Sequence, residues 1–244
     1  MQIMDDTLRL SAVLEKPAEE TEKIVIVLHG FSSTKDRPHN IQAAQAMREA
    51  GFATLRMDLY GHGESDGRFE KHTLYQWISN TMAAIDAVYE RGYREVWLSG
   101  HSQGGLTAAL TAAMETDRIR GLILRAPAFL IPDCARSGNL LGFAFDPEHI
   151  PERMKIIKGL ELEGGYLRVA QTIHVEEAIS RFKGPVLILH GDEDDTVPPE
   201  DSRKAAEQYA NAELAVMKGE THHFDTHPAE MQEIIRQWLT GHRA

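Results

Sequence analysis

Short apolar runs rich in β-branched residues recur along the 244-residue chain, and most are separated by segments whose apolar residues repeat at helical spacing. Continuously apolar strands that alternate with helices are typical of a parallel sheet covered on both faces. The pattern therefore predicts a doubly wound α/β fold. Strands are expected at residues 24–28, 53–57, 95–99, 121–125, 186–190 and 214–217, and helices at 38–50, 74–91, 103–114, 199–210 and 228–240.

The N-terminal segment 8–14 shows a different pattern, because its apolar residues alternate with polar ones. Leu8, Leu10, Ala12 and Leu14 share one face of an extended chain. Strict alternation is typical of a strand with one face buried. We expect this segment to begin the sheet as an antiparallel edge strand.

About sixty residues separate the strand that ends near Arg125 from the strand that begins at Val186, far more than a crossover needs. The interval contains Pro127, Pro132, Pro147 and Pro151, an amphipathic stretch at 152–157 and a run at 166–170 that could form a short strand. We interpret it as a lid subdomain at about 127–183, inserted into a single domain that spans residues 1–244.

A Gly-x-Ser-x-Gly motif, Gly100-His-Ser102-Gln-Gly104, lies between a predicted strand and a predicted helix. Its glycines permit a sharp turn that exposes the serine hydroxyl, and the following helix directs its N-terminal dipole at a developing oxyanion. The alternative is a glycine-rich turn that only ends a strand. The flanking pattern favours a nucleophile elbow with Ser102 as the nucleophile.

Two later loops supply the partners that a serine nucleophile needs, a histidine base and a carboxylate that orients it. The first, at 190–198, contains Asp192, Glu193, Asp194 and Asp195, and the second, at 219–224, contains His222 and His223. Both follow predicted strands, and the carboxyl ends of parallel strands meet at one edge of the sheet. We therefore expect both loops to converge on Ser102.

An oxyanion hole requires two backbone N–H groups near the nucleophile. We assign one to Gln103, which follows the nucleophile, and the other to Phe31, in the loop after the strand at 24–28. The glycine-rich loop at 58–67 lacks the spacing of a phosphate-binding loop, so we interpret it as a structural turn. A metal site built from Asp58, His62 and Asp66 is compatible with composition but is not predicted.

Charge and cysteine content narrow the function classes. A net charge of −11 and a pI of about 5.5 disfavour nucleic acid and anionic membranes as partners. The single cysteine, Cys134, excludes an intramolecular disulfide, and neither a signal peptide nor a span of about 20 apolar residues is visible. We expect an unanchored, cytoplasmic protein that needs no cofactor or metal; a homodimer is compatible with the sequence.

Five motifs in chain order resemble those of the α/β-hydrolase superfamily. They are His29-Gly-Phe31, Asp58-x-x-Gly-His-Gly-x-Ser65, Gly100-His-Ser102-Gln-Gly-Gly105, His190-Gly-x-x-Asp194-x-x-Val-Pro198 and Gly219-x-x-His222-x-Phe224. The resemblance implies the α/β-hydrolase fold. Within the two loops it selects Asp194 as the acid, with Asp195 as the next candidate, and His222 as the base.

The chain more closely resembles the bacterial feruloyl (cinnamoyl) esterases, also within the predicted lid. The matching stretches are Tyr60-Gly-His-Gly-Glu-Ser-Asp-Gly-Arg-Phe69, His72-Thr-Leu74, His101-Ser-Gln-Gly-Gly105, Phe145-Asp-Pro-Glu-His-Ile-Pro151 and Gly165-Tyr-Leu-Arg-Val-Ala-Gln171. The resemblance implies hydrolysis of small aromatic esters of hydroxycinnamic acids, with the lid forming the aromatic pocket. It also implies that Asp133 and Tyr166 bind the phenolic hydroxyl.

We therefore predict a serine carboxylesterase that works through an acyl-enzyme intermediate. A lipase or monoacylglycerol-type esterase for aliphatic acyl chains is the first alternative, and a series of ester chain lengths separates the two. A non-catalytic ligand-binding module on this fold is the second. The complete set of serine, acid and histidine in chain order argues against the binding module.

Overall fold

The computed structural model describes residues 1–242 and contains alternating strands and helices around a central sheet. In chain order these elements are β1 (Gln2–Asp5), β2 (Leu8–Glu15), β3 (Lys23–Leu28), α1 (Pro38–Glu49), β4 (Ala53–Met57), α2 (Leu74–Glu90), β5 (Glu95–His101), α3 (Gln103–Met114), β6 (Ile119–Arg125), α4 (Ile131–Ser137), β7 (Asn139–Leu140), β8 (Phe143–Ala144), β9 (Arg153–Lys155), β10 (Glu161–Glu163), α5 (Gly165–Gln171), α6 (Val175–Arg181), β11 (Val186–Gly191), α7 (Pro199–Gln208), β12 (Ala212–Met217) and α8 (Pro228–Gly241).

The central sheet of the described residues has eight strands in the order β1-β2-β4-β3-β5-β6-β11-β12. From β4 to β12 neighbouring strands are parallel, whereas β2 runs antiparallel to both β1 and β4. In the parallel part, Ile26 pairs with Leu55 on one side and with Leu98 on the other. The predicted doubly wound α/β fold is therefore confirmed.

Helices cover both faces of this sheet because its central strands are apolar on both sides. Along β3, Ile24 and Ile26 belong to the core under α2 and α3, whereas Val25 and Val27 pack toward α1 and α8. Successive strand residues point to opposite faces, so one short strand contributes to both cores. Among residues 1–242, no helix is both long enough and apolar enough to cross a membrane.

The edge of the sheet differs from the prediction. The alternating segment forms β2, which is the second strand, and the edge is β1. Only Ile3 of this four-residue strand is buried, and Met4 is exposed. One buried side chain provides no periodicity, so the sequence pattern could not identify β1.

The long interval between β6 and β11 contains α4, the β7–β8 hairpin, the antiparallel pair of β9 and β10, and then α5 and α6. The run at 166–170 is helical, in α5, so the expected short strand there is wrong. Tyr166, Leu167 and Ala170 are buried on one side of that helix. An apolar run this short does not distinguish the helical repeat from the two-residue repeat of a strand. That this interval acts as a lid stays a prediction.

Candidate active site

Ser102 occupies a sharp turn between β5 and α3, with φ of 55° and ψ of −121°. The glycines on either side leave room for this turn. A Cβ at Gly100 would lie 2.1 Å from the carbonyl oxygen of Gly104, and a Cβ at Gly104 would lie 2.3 Å from the carbonyl oxygen of His29. Since neither position can accommodate a side chain without moving backbone, the motif residues are dictated by geometry.

The loop after β3 packs directly against this turn. A Cβ built on Gly30 would lie 3.0 Å from the Cβ of Ser102, so the backbone of the loop approaches the serine closely. Phe31 follows in the same loop. Gln103 is the first residue of α3, and its N–H therefore belongs to the helix-end donors that lack an intrahelical acceptor. The two predicted oxyanion donors thus belong to segments that contact the Ser102 turn.

Asp194 lies in the loop after β11, and its buried carboxylate accepts several hydrogen bonds. Its Oδ1 accepts from the backbone N–H groups of Thr196 at 2.9 Å and Val197 at 2.8 Å. Its Oδ2 is 2.7 Å from Nδ1 of His222. Burial alone raises the pKa of Asp194, but the hydrogen bonds from His190 and His222 outweigh it and hold the pKa well below its usual range.

The loop after β12 brings His222 to the nucleophile turn. Nε2 of His101, the residue before Ser102, donates to the backbone carbonyl of His222 at 2.8 Å, and the two rings are 4.8 Å apart. His222 is buried, whereas His223 is exposed. Because Nδ1 of His222 donates to the carboxylate, Nε2 is the nitrogen left to accept a proton.

The neighbouring acids Asp192 and Asp195 accept hydrogen bonds from other groups. Asp192 accepts from the backbone N–H of Gly219, and Asp195 accepts from the hydroxyl of Thr196. Both side chains belong to exposed residues, whereas Asp194 is buried. The carboxylate paired with His222 is therefore that of Asp194, the acid that the family resemblance selects.

The two predicted phenol-binding residues occupy different environments. The Asp133 side chain is 82% exposed and pairs with Arg136 at 2.7 Å. Tyr166 is fully buried, and its hydroxyl donates to Oε1 of Gln103 at 2.8 Å. The Tyr166 ring also lies 6.0 Å from Phe31 and 5.1 Å from His72. Tyr166 thus joins α5 to the residue that follows the nucleophile, and Asp133 faces solvent.

The glycine-rich loop at 58–67 is held by hydrogen bonds within the loop and from Lys35. Asp58 accepts from Lys35 Nζ at 2.7 Å and from the backbone N–H of Glu64 at 3.0 Å. A Cβ at Gly63 would lie 2.1 Å from the Asp58 carboxylate. The loop is therefore a packed turn beside the Ser102 region.

Two further residues, His190 and Ser202, lie near the site and were not predicted from the sequence. His190 lies 3.1 Å from Asp194, and Ser202 lies 2.7 Å from His190. His190 begins the motif that contains Asp194, but the presence of a histidine there does not reveal which groups it contacts. Ser202 lies in an ordinary helix pattern, and no sequence signal marks it.

Two family models match successive parts of the chain. The family model described as serine aminopeptidase S33 matches residues 19–152, and a model described as TAP-like protein matches residues 167–243. Among curated proteins, the chain is 25% identical to non-heme chloroperoxidase CPO-A1 of Kitasatospora aureofaciens, covering 88% of this chain and 90% of that protein. It is also 25% identical to caffeoylshikimate esterase of Arabidopsis thaliana, covering 90% and 78%.

The solved structures include a much stronger match. Est1E from Butyrivibrio proteoclasticus with bound ferulic acid superposes with a TM-score of 0.96 at 42% identity, covering 99% of this chain and 98% of that one. The match extends over the interval between β6 and β11 as well as the sheet. The chain therefore belongs to the α/β-hydrolase superfamily, as a serine hydrolase related to Est1E.

Proposed function

We propose that the protein is a serine carboxylesterase that hydrolyses hydroxycinnamate esters. The observation that supports this most strongly is the 2.7 Å contact between His222 and Asp194 beside the Ser102 turn. The similarity to Est1E, solved with ferulic acid, indicates the acyl group. The reaction needs no cofactor, because a serine, a histidine and a carboxylate supply all the proton transfers.

In the proposed reaction, Ser102 Oγ attacks the ester carbonyl while Nε2 of His222 takes its proton. Asp194 holds the imidazole in the tautomer with hydrogen on Nδ1 and stabilises the imidazolium that forms. The amides of Phe31 and Gln103 donate to the oxyanion. His222 then protonates the leaving alcohol, and in the second half it activates the water that releases the acid.

An aromatic cluster beside the nucleophile supports an aromatic acyl group. Phe31, Phe69, His72 and Tyr166 lie with neighbouring ring centroids 5.0–6.0 Å apart. The Tyr166 hydroxyl already donates to Gln103, so toward a substrate phenol it acts as an acceptor. Asp133, also an acceptor, is the second group that we propose for the phenol. An unpaired buried phenol would cost about 1 to 3 kcal/mol.

The nucleophile assignment is tested by Ser102→Ala. We expect kcat to fall by about a million-fold, because the triad acts as a unit. A fluorophosphonate should label the wild-type enzyme once and the variant not at all, as measured by intact mass spectrometry. A variant that is folded by circular dichroism and still keeps more than about a hundredth of the activity would refute the assignment.

The acyl specificity is tested with methyl ferulate, methyl cinnamate and a series of aliphatic esters. Asp133→Ala and Tyr166→Phe should lower kcat/KM for methyl ferulate several-fold and leave methyl cinnamate nearly unchanged, because only ferulate has the hydroxyl. Equal losses on both esters would exclude phenol recognition by these residues. A wild-type preference for aliphatic esters would contradict the feruloyl assignment and favour the lipase alternative.

We further propose that this enzyme acts in the cytoplasm on a free small-molecule ester. Its net charge of −11 would repel nucleic acid and anionic lipid. The single cysteine, Cys134, suits a reducing compartment. Fractionation of the producing cells tests the location, and sedimentation velocity tests for a homodimer.

A further inference from the structure

A second histidine contacts the candidate acid, and the mechanism above does not use it. His190, near the end of β11, is fully buried. Its Nε2 is 2.9 Å from the carbonyl oxygen of Val197 and 3.1 Å from Oδ2 of Asp194. Its Nδ1 is 2.7 Å from the hydroxyl of Ser202, a buried residue of α7.

These partners determine where the hydrogens of the His190 ring lie. A carbonyl oxygen only accepts, so Nε2 of His190 carries a hydrogen that is shared between Val197 and Asp194. In the neutral ring Nδ1 then accepts, and the Ser202 hydroxyl donates to it. The Val197 carbonyl thereby selects the tautomer that directs an N–H at the carboxylate, and the Ser202 hydroxyl stabilises this tautomer by donating to Nδ1.

His190 completes the set of donors around Asp194. One carboxylate oxygen accepts two backbone N–H groups, from Thr196 and Val197. The other is approached by two imidazole nitrogens, those of His222 and His190. With donors on both oxygens, the carboxylate cannot rotate without breaking at least one of these hydrogen bonds.

We propose that His190 is a positioning residue for this esterase: its Nε2–H holds the Asp194 carboxylate in the orientation that His222 requires, and Ser202 in turn holds His190. The proposal rests on the proposed function, because it presupposes that Asp194 is the triad acid. The order of contacts is then Ser202, His190, Asp194 and His222, which connects α7 to the candidate base through buried side chains.

Removal of this donor should affect two different measurements. A less restrained carboxylate orients His222 less well, so kcat falls, whereas KM changes little because His190 is not assigned a substrate contact. The freed oxygen also concentrates more negative charge on the bond to His222, which stabilises the imidazolium. The rise of kcat/KM with pH should then have its midpoint at higher pH.

The other groups around His222 stay constant in such a variant. His101 and His223 lie beside its ring, and Arg125 and His39 lie beyond His101. All four are common to the wild type and the variants. A displaced midpoint therefore reports on the Asp194 carboxylate.

The experiment compares His190→Leu, which has no donor, with His190→Gln, whose amide can donate from a similar position. We expect His190→Leu to lower kcat on methyl ferulate by about tenfold to a hundredfold, with KM within about twofold and the midpoint moved upward. His190→Gln should restore most of kcat and return the midpoint toward that of the wild type. Ser202→Ala should produce a smaller loss in the same direction.

Tyr209→Phe serves as the matched control. Tyr209 directly follows α7, and its buried hydroxyl has no hydrogen-bond partner within residues 1–242. This variant also alters a buried polar group near α7, but it should leave kcat and the midpoint unchanged. Urea unfolding establishes that each variant is folded at the assay temperature.

The proposal is overturned if folded His190→Leu keeps wild-type kcat and midpoint, or if His190→Leu and His190→Gln lose activity equally with no displaced midpoint. The second result would mean that the ring only fills space. If His190→Leu does not fold, Ser202→Ala decides: a lower kcat with the midpoint moved upward supports the proposal, and wild-type kinetics contradict it. An active Asp194→Asn would instead refute the triad, and so distinguishes the two failures.

Discussion

At the scale of single residues, Asp194 differs from its acidic neighbours in burial and hydrogen bonding. Its side chain is shielded from solvent and paired with His222, whereas Asp192 and Asp195 belong to exposed turn residues. The same contrast separates buried His222 from exposed His223. Residues of the same type within one loop therefore lie in different environments. Substitutions at each position should distinguish the catalytic residue from its neighbours.

We predict that Asp194→Asn lowers kcat on methyl ferulate by about 10⁴-fold, because the amide favours the wrong tautomer of His222. Asp195→Asn is the matched control and should change kcat by less than about twofold. His222→Ala and His223→Ala form the corresponding pair for the base. A large loss in Asp195→Asn together with a nearly normal Asp194→Asn would transfer the role of acid to Asp195.

At the scale of elements, the turn from β5 to α3 is held by contacts with backbone. Ser102 has a positive φ, which a non-glycine residue adopts at a cost of about 1 to 3 kcal/mol. The surrounding backbone compensates for that cost by packing closely at Gly100 and Gly104. Stability and the exposure of the nucleophile therefore depend on the same two glycines.

We predict that Gly100→Ala lowers the free energy of unfolding by about 3 kcal/mol, because the new methyl group overlaps the carbonyl of Gly104. Gly165→Ala, in α5, is the control, since a Cβ at that position meets no atom within 4 Å. It should be neutral or slightly stabilising. Urea titrations of both variants measure the difference, and equal stability of the two would show that the turn tolerates a side chain.

At the scale of the whole molecule, the described part of the chain contains several histidines that burial keeps neutral. Burial lowers the pKa of His72 to about 3, and burial followed by the nearby Arg125 lowers the pKa of His39 to about 2. Burial likewise lowers the pKa of His29, His62 and His101. These groups bind protons in the unfolded chain near pH 6.5 but not in the folded one.

We predict that the free energy of unfolding decreases as the pH falls below about 6.5, because the unfolded chain then binds protons that the folded chain excludes. For His72 this window extends from pH 6.5 down to about 3. Asp194, whose pKa is lowered in the fold, adds its own loss only at more acidic pH. Urea titrations between pH 5 and 8 measure the slope of the free energy of unfolding against pH.

His72→Asn is the variant that tests this origin, since its amide can still donate to the carbonyl of Phe69. It should reduce the slope by up to about 1.4 kcal/mol per pH unit. Exposed His174→Gln is the control and should leave the slope unchanged. If the slope in His72→Asn equals that of the wild type, buried His72 does not contribute to the loss of stability at low pH.

Features that arise from local patterns can be predicted from the sequence. Continuous apolar runs alternating with helical periods are sufficient to predict a parallel sheet, because each strand must bury both faces. The spacing of Gly100, Ser102 and Gly104 is sufficient to predict the turn, because only glycine fits such close backbone contacts. The doubly wound fold class is confirmed; the catalytic roles stay predictions.

Features that depend on distant neighbours are visible only in the folded chain. Asp194 and His222 lie 28 positions apart in the chain, so which acid meets which imidazole depends on how two loops pack at one sheet edge. The exposure of Asp133, the contact of Tyr166 with Gln103 and the environment of His190 arise in the same way. Residue type and periodicity describe a segment alone, whereas burial and hydrogen bonding are properties of the assembled chain.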